Sequence, residues 1–150
     1  MNKQLIENNY IFIDNFIDPI RAKELYIKYT EDSKSFPNLF KLGDSQCAKS
    51  LSITNYRFFL EILIEKIPYM TELIGEPLFP TYCYSRLYVK NEVLKRHRDR
   101  PACEISATLH LGSDNTSWPI FFQKPDGTEV SIEMKPGQAV VYLGCIADHW

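Results

Sequence analysis

Residues 81–112, TYCYSRLYVKNEVLKRHRDRPACEISATLHLG, carry two strand-like runs with His97, Arg98 and Asp99 between them. Side chains alternate across a β-strand, so residues two apart project from one face. The His97 imidazole and the Asp99 carboxylate therefore point the same way, which is how a strand presents two ligands to one metal ion. A second imidazole, His149, follows another strand-like run, AVVYLG at 139–144. Two imidazoles and one carboxylate leave coordination positions open, and that ligand set suits a single iron(II) ion.

The flanking strands have their own parity. Over 81–90, Tyr82, Tyr84, Arg86 and Tyr88 share one face, and Cys83, Ser85, Leu87 and Val89 the other. Over 103–111, Glu104, Ser106, Thr108 and His110 oppose Cys103, Ile105, Ala107, Leu109 and Leu111. The polar faces either meet solvent or line a cavity beside the metal ligands. Tyrosine hydroxyls and a guanidinium on one face are suited to holding a carboxylate, which favours the cavity.

Outward from this centre, the C-terminal half reads as short strands near 81–90, 93–98, 103–111, 118–123, 128–133 and 139–144. Turn dipeptides such as Asp126-Gly127 and Pro136-Gly137 separate them. The N-terminal half reads differently. A short apolar run, YIFIDNFI at 10–17, precedes Asp18-Pro19, an acidic N-cap followed by proline at the first helical position. Ile20, Leu25 and Ile27 continue at helical spacing, so an amphipathic helix is expected there. Residues 36–54 show little periodicity and are expected to form a long loop. Phe58, Phe59, Ile62, Leu63 and Ile67 mark a second helix, which Pro68 either kinks or replaces with a further short helix closed by Gly75. Helices followed by a run of strands predict an α+β chain, mainly β, with a sandwich or barrel packed on an N-terminal helical layer.

The chain has 150 residues, one domain by length, with 45% hydrophobic residues, 24% charged residues and a net charge of −2. Near-neutral charge argues against a general nucleic-acid or anionic-membrane binder. A local basic group, Lys90, Lys95, Arg96, Arg98 and Arg100, is either a solvated strand end or a guide for substrate. The N-terminus MNKQLIENNY has no apolar signal region, and no apolar run approaches a bilayer span. Cys47, Cys83, Cys103 and Cys145 form no C-x-x-C pair and read as reduced thiols, so a cysteine zinc site is not expected. A cytoplasmic location follows from these features.

The segment RLYVKNEVLKRHRDRPACEISATLHLG and the later KPGQAVVYLGCIADHW resemble the iron(II)/2-oxoglutarate-dependent dioxygenases, nearest the prolyl-4-hydroxylase-like branch. The N-terminal YIFIDNFIDPIRAKEL resembles the strand-then-helix start of the same enzymes. The resemblance implies a double-stranded β-helix (jelly-roll) core over one domain, 1–150. It implies iron(II) on His97, Asp99 and His149, 2-oxoglutarate as co-substrate and ascorbate as accessory reductant. Tyr88 matches a tyrosine that contacts the co-substrate, and Thr108 or His110 matches a second polar contact. The implied activity is hydroxylation of a protein side chain of prolyl type or of a small metabolite.

These enzymes also place an Arg or Lys on a strand after the distal His, whereas this sequence ends at Trp150. The expectation is a core without its final strand: either the sequence is a piece of a longer protein, or another residue, with Arg86 the candidate, holds the far carboxylate of 2-oxoglutarate. Two other readings stay open. One is a non-catalytic jelly-roll module that binds metal or a partner. The other is a cupin-like enzyme that recruits His110 as an extra ligand. Trp118, Phe121 and Phe122 are read as core packing, and the oligomeric state is not legible.

Overall fold

Asp18 starts the longest helix. Its Oδ1 accepts hydrogen bonds from the backbone N–H groups of Ile20 (2.7 Å) and Arg21 (3.3 Å), which the first helical turn leaves without partners. The computed structural model describes residues 1–150. In chain order the elements are α1 (Lys3–Asn8), β1 (Tyr10–Ile13), α2 (Pro19–Ser35), β2 (Lys41–Leu42), β3 (Leu51–Thr54), α3 (Arg57–Glu65), α4 (Ile67–Ile74) and β4 (Tyr84–Leu87). There follow β5 (Ile105–Leu109), β6 (Ile120–Gln123), β7 (Glu129–Ile132) and β8 (Ala139–Leu143). The architecture is mixed α and β with more strands than helices. No helix is long and apolar enough to cross a membrane.

The chain forms two compact units. The first contains Met1 and Tyr29–Lys95; the second contains Asn2–Lys28 and Arg96–Trp150. In the first, an antiparallel sheet in the order β2-β3-β4 accompanies α3, α4 and the end of α2. Its core is aromatic. Tyr29 stacks on Phe59 with centroids 5.4 Å apart and meets Phe40 and Tyr56 edge-on. The Tyr56 hydroxyl donates to Asp32 Oδ2 at 2.6 Å, which satisfies a buried polar group. Pro68 lies in the first turn of α4, where its missing N–H costs nothing, and Gly75 ends that helix at φ 80°. Pro68 thus opens a second helix.

In the second unit, β8 is the central strand of an antiparallel sheet in the order β1-β8-β5, and all five of its residues are buried. Antiparallel β6 and β7 form a separate hairpin. Phe122 from β6, Val140 and Tyr142 from β8, and Ala147 make a buried cluster with Tyr10, Ile120, Val130, Ile132 and Met134 packed against it. Phe122 is core, as expected, whereas Trp118 is exposed and not part of the core.

Three local expectations need correction. Residues 36–54 are not a featureless loop: they hold a short 3-10 turn and the strands β2 and β3. β3 carries no hydrophobic signal at its one buried position, which is the small polar Ser52. The strand expected at 93–98 reduces to a single bridge at His97. Helix α1 was not anticipated; Asn2 caps it by accepting from the Gln4 N–H at 2.9 Å.

Candidate metal centre

His97 and His149 lie opposite each other in an isolated antiparallel bridge. Each backbone N–H donates to the other's carbonyl at 3.0 Å. Directly paired residues project to the same side, so the two imidazoles meet with centroids 4.3 Å apart. The residues beside them tie the same two segments together. Arg98 Nε donates to Asp148 Oδ1 at 2.8 Å. The Arg96 guanidinium lies 3.9 Å from the Trp150 ring and pairs with Glu129. Trp150 in turn stacks on Phe121 at 5.5 Å and 9°. Two of the five basic residues are thus cross-strand fasteners of the bridge.

Asp99 joins the pair from two residues along, as strand parity requires. Its Oδ1 lies 3.8 Å from His97 Nε2 and 3.7 Å from His149 Nε2. One ligand atom from each of the three side chains falls within 4.8 Å of the others, a spacing at which one metal ion could bind all three. The Asp99 backbone N–H donates to the Gly144 carbonyl at 2.8 Å, and the Ser106 hydroxyl donates to Oδ2 at 2.9 Å. Ser106 therefore holds one carboxylate oxygen and leaves Oδ1 toward the imidazoles. Gly144 packs against this arrangement. A Cβ there would come within 2.7 Å of Asp99 Oδ2 and 2.9 Å of Ser106 Oγ, and closer still to the Cys103 carbonyl.

The environment also sets the form of His149. Its Nδ1 lies 2.9 Å from the Ala147 carbonyl, which only accepts, so Nδ1 carries the proton and Nε2 presents a lone pair toward Asp99. His149 is 2% exposed, and its pKa is lowered, chiefly by burial. Neutral imidazole is the form that ligates metals. Phe122 and Tyr142 flank the ring at 5.8 and 4.7 Å.

No family model matches this sequence. No curated protein does either. Solved structures do match. The chain is similar to a Pseudomonas putida prolyl-4-hydroxylase with a TM-score of 0.77 and 16% identity, over 97% of this chain and 85% of that one. It is similar to a Shewanella oneidensis protein provisionally described as an oxygenase, with a TM-score of 0.67 and 12% identity, over 98% and 76% of the two chains. The chain shares the fold of these two proteins.

The other residues singled out from the sequence fall in two places. Thr108 and His110 belong to the unit that holds the triad. Thr108 Oγ1 lies 3.4 Å from the Tyr142 hydroxyl. Burial lowers the His110 pKa, and His110 is not among the three residues grouped for a metal. Arg86 and Tyr88 belong to the other unit. There the Arg86 Nη1 donates to the Tyr88 hydroxyl at 3.3 Å, and Nη2 donates to Asp44 Oδ2 at 2.5 Å. Ser106, Tyr142 and Gly144 were not singled out. Ser106 was legible, since it shares a strand face with Thr108; Tyr142 and Gly144 gave no local signal.

Proposed function

We propose that this chain is an iron(II)- and 2-oxoglutarate-dependent oxygenase with a double-stranded β-helix core. Its substrate is a protein side chain of the prolyl type or a small metabolite, and it works in the cytoplasm, where iron stays reduced. The observation that carries this reading is the convergence of His97, Asp99 and His149 within 4.8 Å, on a bridge that fixes both imidazoles. The donor set, two neutral-capable imidazoles and one carboxylate, fits iron(II) and leaves positions for other ligands. Iron(II) held there, with 2-oxoglutarate and with ascorbate as accessory reductant, supplies oxygen activation for hydroxylation.

The chain's own residues divide the remaining work. The Ala147 carbonyl holds the His149 proton on Nδ1, so Nε2 needs no deprotonation before it binds metal. Ser106 and the Gly144 backbone orient Asp99, whose charge partly neutralises the ion. Phe122 and Tyr142 shield the buried face of His149 from water. Thr108 on β5, and His110 just past the end of that strand, are the proposed polar contacts for the co-substrate. Arg86 and Tyr88 are further proposed contacts for a carboxylate of the co-substrate.

The test is anaerobic titration of the protein with iron(II) and 2-oxoglutarate. The expected result is a visible charge-transfer band that is absent in His97→Ala, together with iron-dependent formation of succinate. A protein that gives neither band nor succinate is a non-catalytic module instead.

A further inference from the structure

We propose that Cys103 and Cys145 are a redox modification site: a peroxide closes them into a disulfide, and the closed form weakens the placement of Asp99. The disulfide stands on the thiol geometry alone, whereas its effect on Asp99 rests on the metal centre described above.

The pairing of β5 with β8 carries one step past both strands, where the Gly144 N–H donates to the Glu104 carbonyl at 3.0 Å. The next residue on each arm is a cysteine, Cys103 on one side and Cys145 on the other. Facing residues of an antiparallel pair stand roughly 4.5–5.5 Å apart at Cα, inside the range of about 4.4–6.8 Å that a disulfide spans. Beyond Glu104 and Gly144 both arms turn. Cys103 ends a 3-10 turn (Pro101–Cys103), and Cys145 lies inside the turn that the Ala147 N–H closes on the Leu143 carbonyl at 2.7 Å. The two turns bring both residues onto one acceptor. The Arg100 carbonyl accepts the Cys103 backbone N–H at 2.8 Å and the Cys145 thiol at 3.5 Å. Both cysteines are reduced and partly exposed, so a small oxidant reaches them. The other two are placed differently: Cys47 is buried, and the thiols of Cys47 and Cys83 lean on separate carbonyls, those of Val93 and Tyr56.

Hydrogen peroxide oxidises one thiol to a sulfenic acid and releases a water. The second thiol attacks that sulfur, the S–S bond forms, and the sulfenic oxygen departs as a second water. The two thiols together give up two electrons and two protons, which the broken O–O bond takes up. The Cys145 thiol is pushed up, chiefly by burial and further by Glu104, Asp99 and Cys103, so the pair closes slowly and answers sustained exposure. Closure draws Cys145 off the Arg100 carbonyl, and its neighbour Gly144 has no slack to absorb the movement. A Cβ on Gly144 would already collide with the Cys103 carbonyl. The Gly144 carbonyl also accepts the Asp99 N–H at 2.8 Å, so the displacement passes to the backbone that carries the carboxylate ligand.

The experiment treats metal-free full-length protein, in chelator, with hydrogen peroxide and maps the cysteines by mass spectrometry after alkylation in denaturant. The expected product in the wild type is a pair of peptides joined through Cys103 and Cys145 that a reductant separates. Cys103→Ser and Cys145→Ser are expected to lack that pair and to carry a dimedone-reactive sulfenic acid on the cysteine that remains. A wild type that accumulates sulfenic or higher acids without the linked pair overturns the proposal, as does linkage of either residue to Cys47 or Cys83 instead. Anaerobic chelator competition, after the peroxide is removed, is expected to show iron(II) affinity lowered roughly tenfold in the linked wild type and unchanged in the serine variants. Reduction, followed by removal of the reductant, is expected to restore it. A linked pair with unchanged affinity overturns the effect on Asp99. A reduced wild type that binds no iron(II) overturns the metal centre itself, while the linked pair still reads the thiol site, so the two failures are told apart.

Discussion

Ser106→Ala removes a single hydroxyl and leaves the backbone pairing of β5 with β8 in place, so it isolates one hydrogen bond. The Ser106 hydroxyl reaches both Asp99 Oδ2 at 2.9 Å and the Cys103 carbonyl at 3.2 Å. A carboxylate is the stronger acceptor, so its one proton goes to Asp99. Without that bond, Oδ2 keeps no side-chain donor from β5, and the carboxylate can turn Oδ1 away from the two imidazole nitrogens. A hydrogen bond to a charged group contributes about 1.5–3 kcal/mol. The Asp99 side chain is 21% exposed, so water replaces part of that bond and the lower end applies. The expected outcome is a loss of about tenfold in iron(II) affinity, within the range typical for groups that orient metal ligands. Anaerobic competition with a chromogenic chelator measures it. Ser106→Thr keeps the hydroxyl and is expected to stay close to the wild type, whereas Asp99→Ala is expected to abolish binding. If Ser106→Ala binds iron(II) within about twofold of the wild type while Asp99→Ala does not bind, Ser106 does not position Asp99. If Asp99→Ala binds as the wild type does, the ligand assignment itself is wrong.

Gly144→Ala places a methyl group where Asp99 Oδ2, Ser106 Oγ and the Cys103 carbonyl already sit. We expect a loss of about 1–3 kcal/mol in stability from overpacking and a weaker metal site in the fraction that folds; unchanged melting and unchanged metal affinity would refute it. The acid limb of stability should depend on Asp44. Despite its burial, hydrogen bonds from Tyr84, the Cys47 N–H and Arg86 hold its carboxyl well below the usual carboxylate range. A depressed folded-state pKa gives stability that is present above the ordinary value, near 4, and is lost as pH falls below it. Thermal melts of wild type and Asp44→Asn should therefore differ at neutral pH by the equivalent of about 1–2 kcal/mol and converge toward pH 2. A gap that stays constant from neutral pH to pH 2 would show that the charge on Asp44 contributes nothing to folding.

Periodicity and capping, which depend only on neighbours along the chain, were enough to place α2 behind Asp18, the Gly75 stop and the strands β5 to β8, while leaving open whether Pro68 kinks one helix or starts another. The same local parity put His97 beside Asp99 and made Arg86 a face-mate of Tyr84 and Tyr88. Segments whose pairing is long-range were not legible. β3 buries a serine, Ser52, that carries no hydrophobic signal, and the run around His97 is held by one bridge to His149, fifty-two positions away, rather than by a strand of its own. That bridge decides the metal centre, because only register across the chain brings the second imidazole within reach of Asp99. Tertiary contacts likewise decide what each polar group faces. Ser106 meets a carboxylate, and the Arg86 fork meets Asp44 through a loop that reads as unpatterned. A sequence states which side chains share a face; the partner on the other side of the contact comes from folding, since hydrogen bonds and ion pairs act between atoms near in space and not between residues near in order.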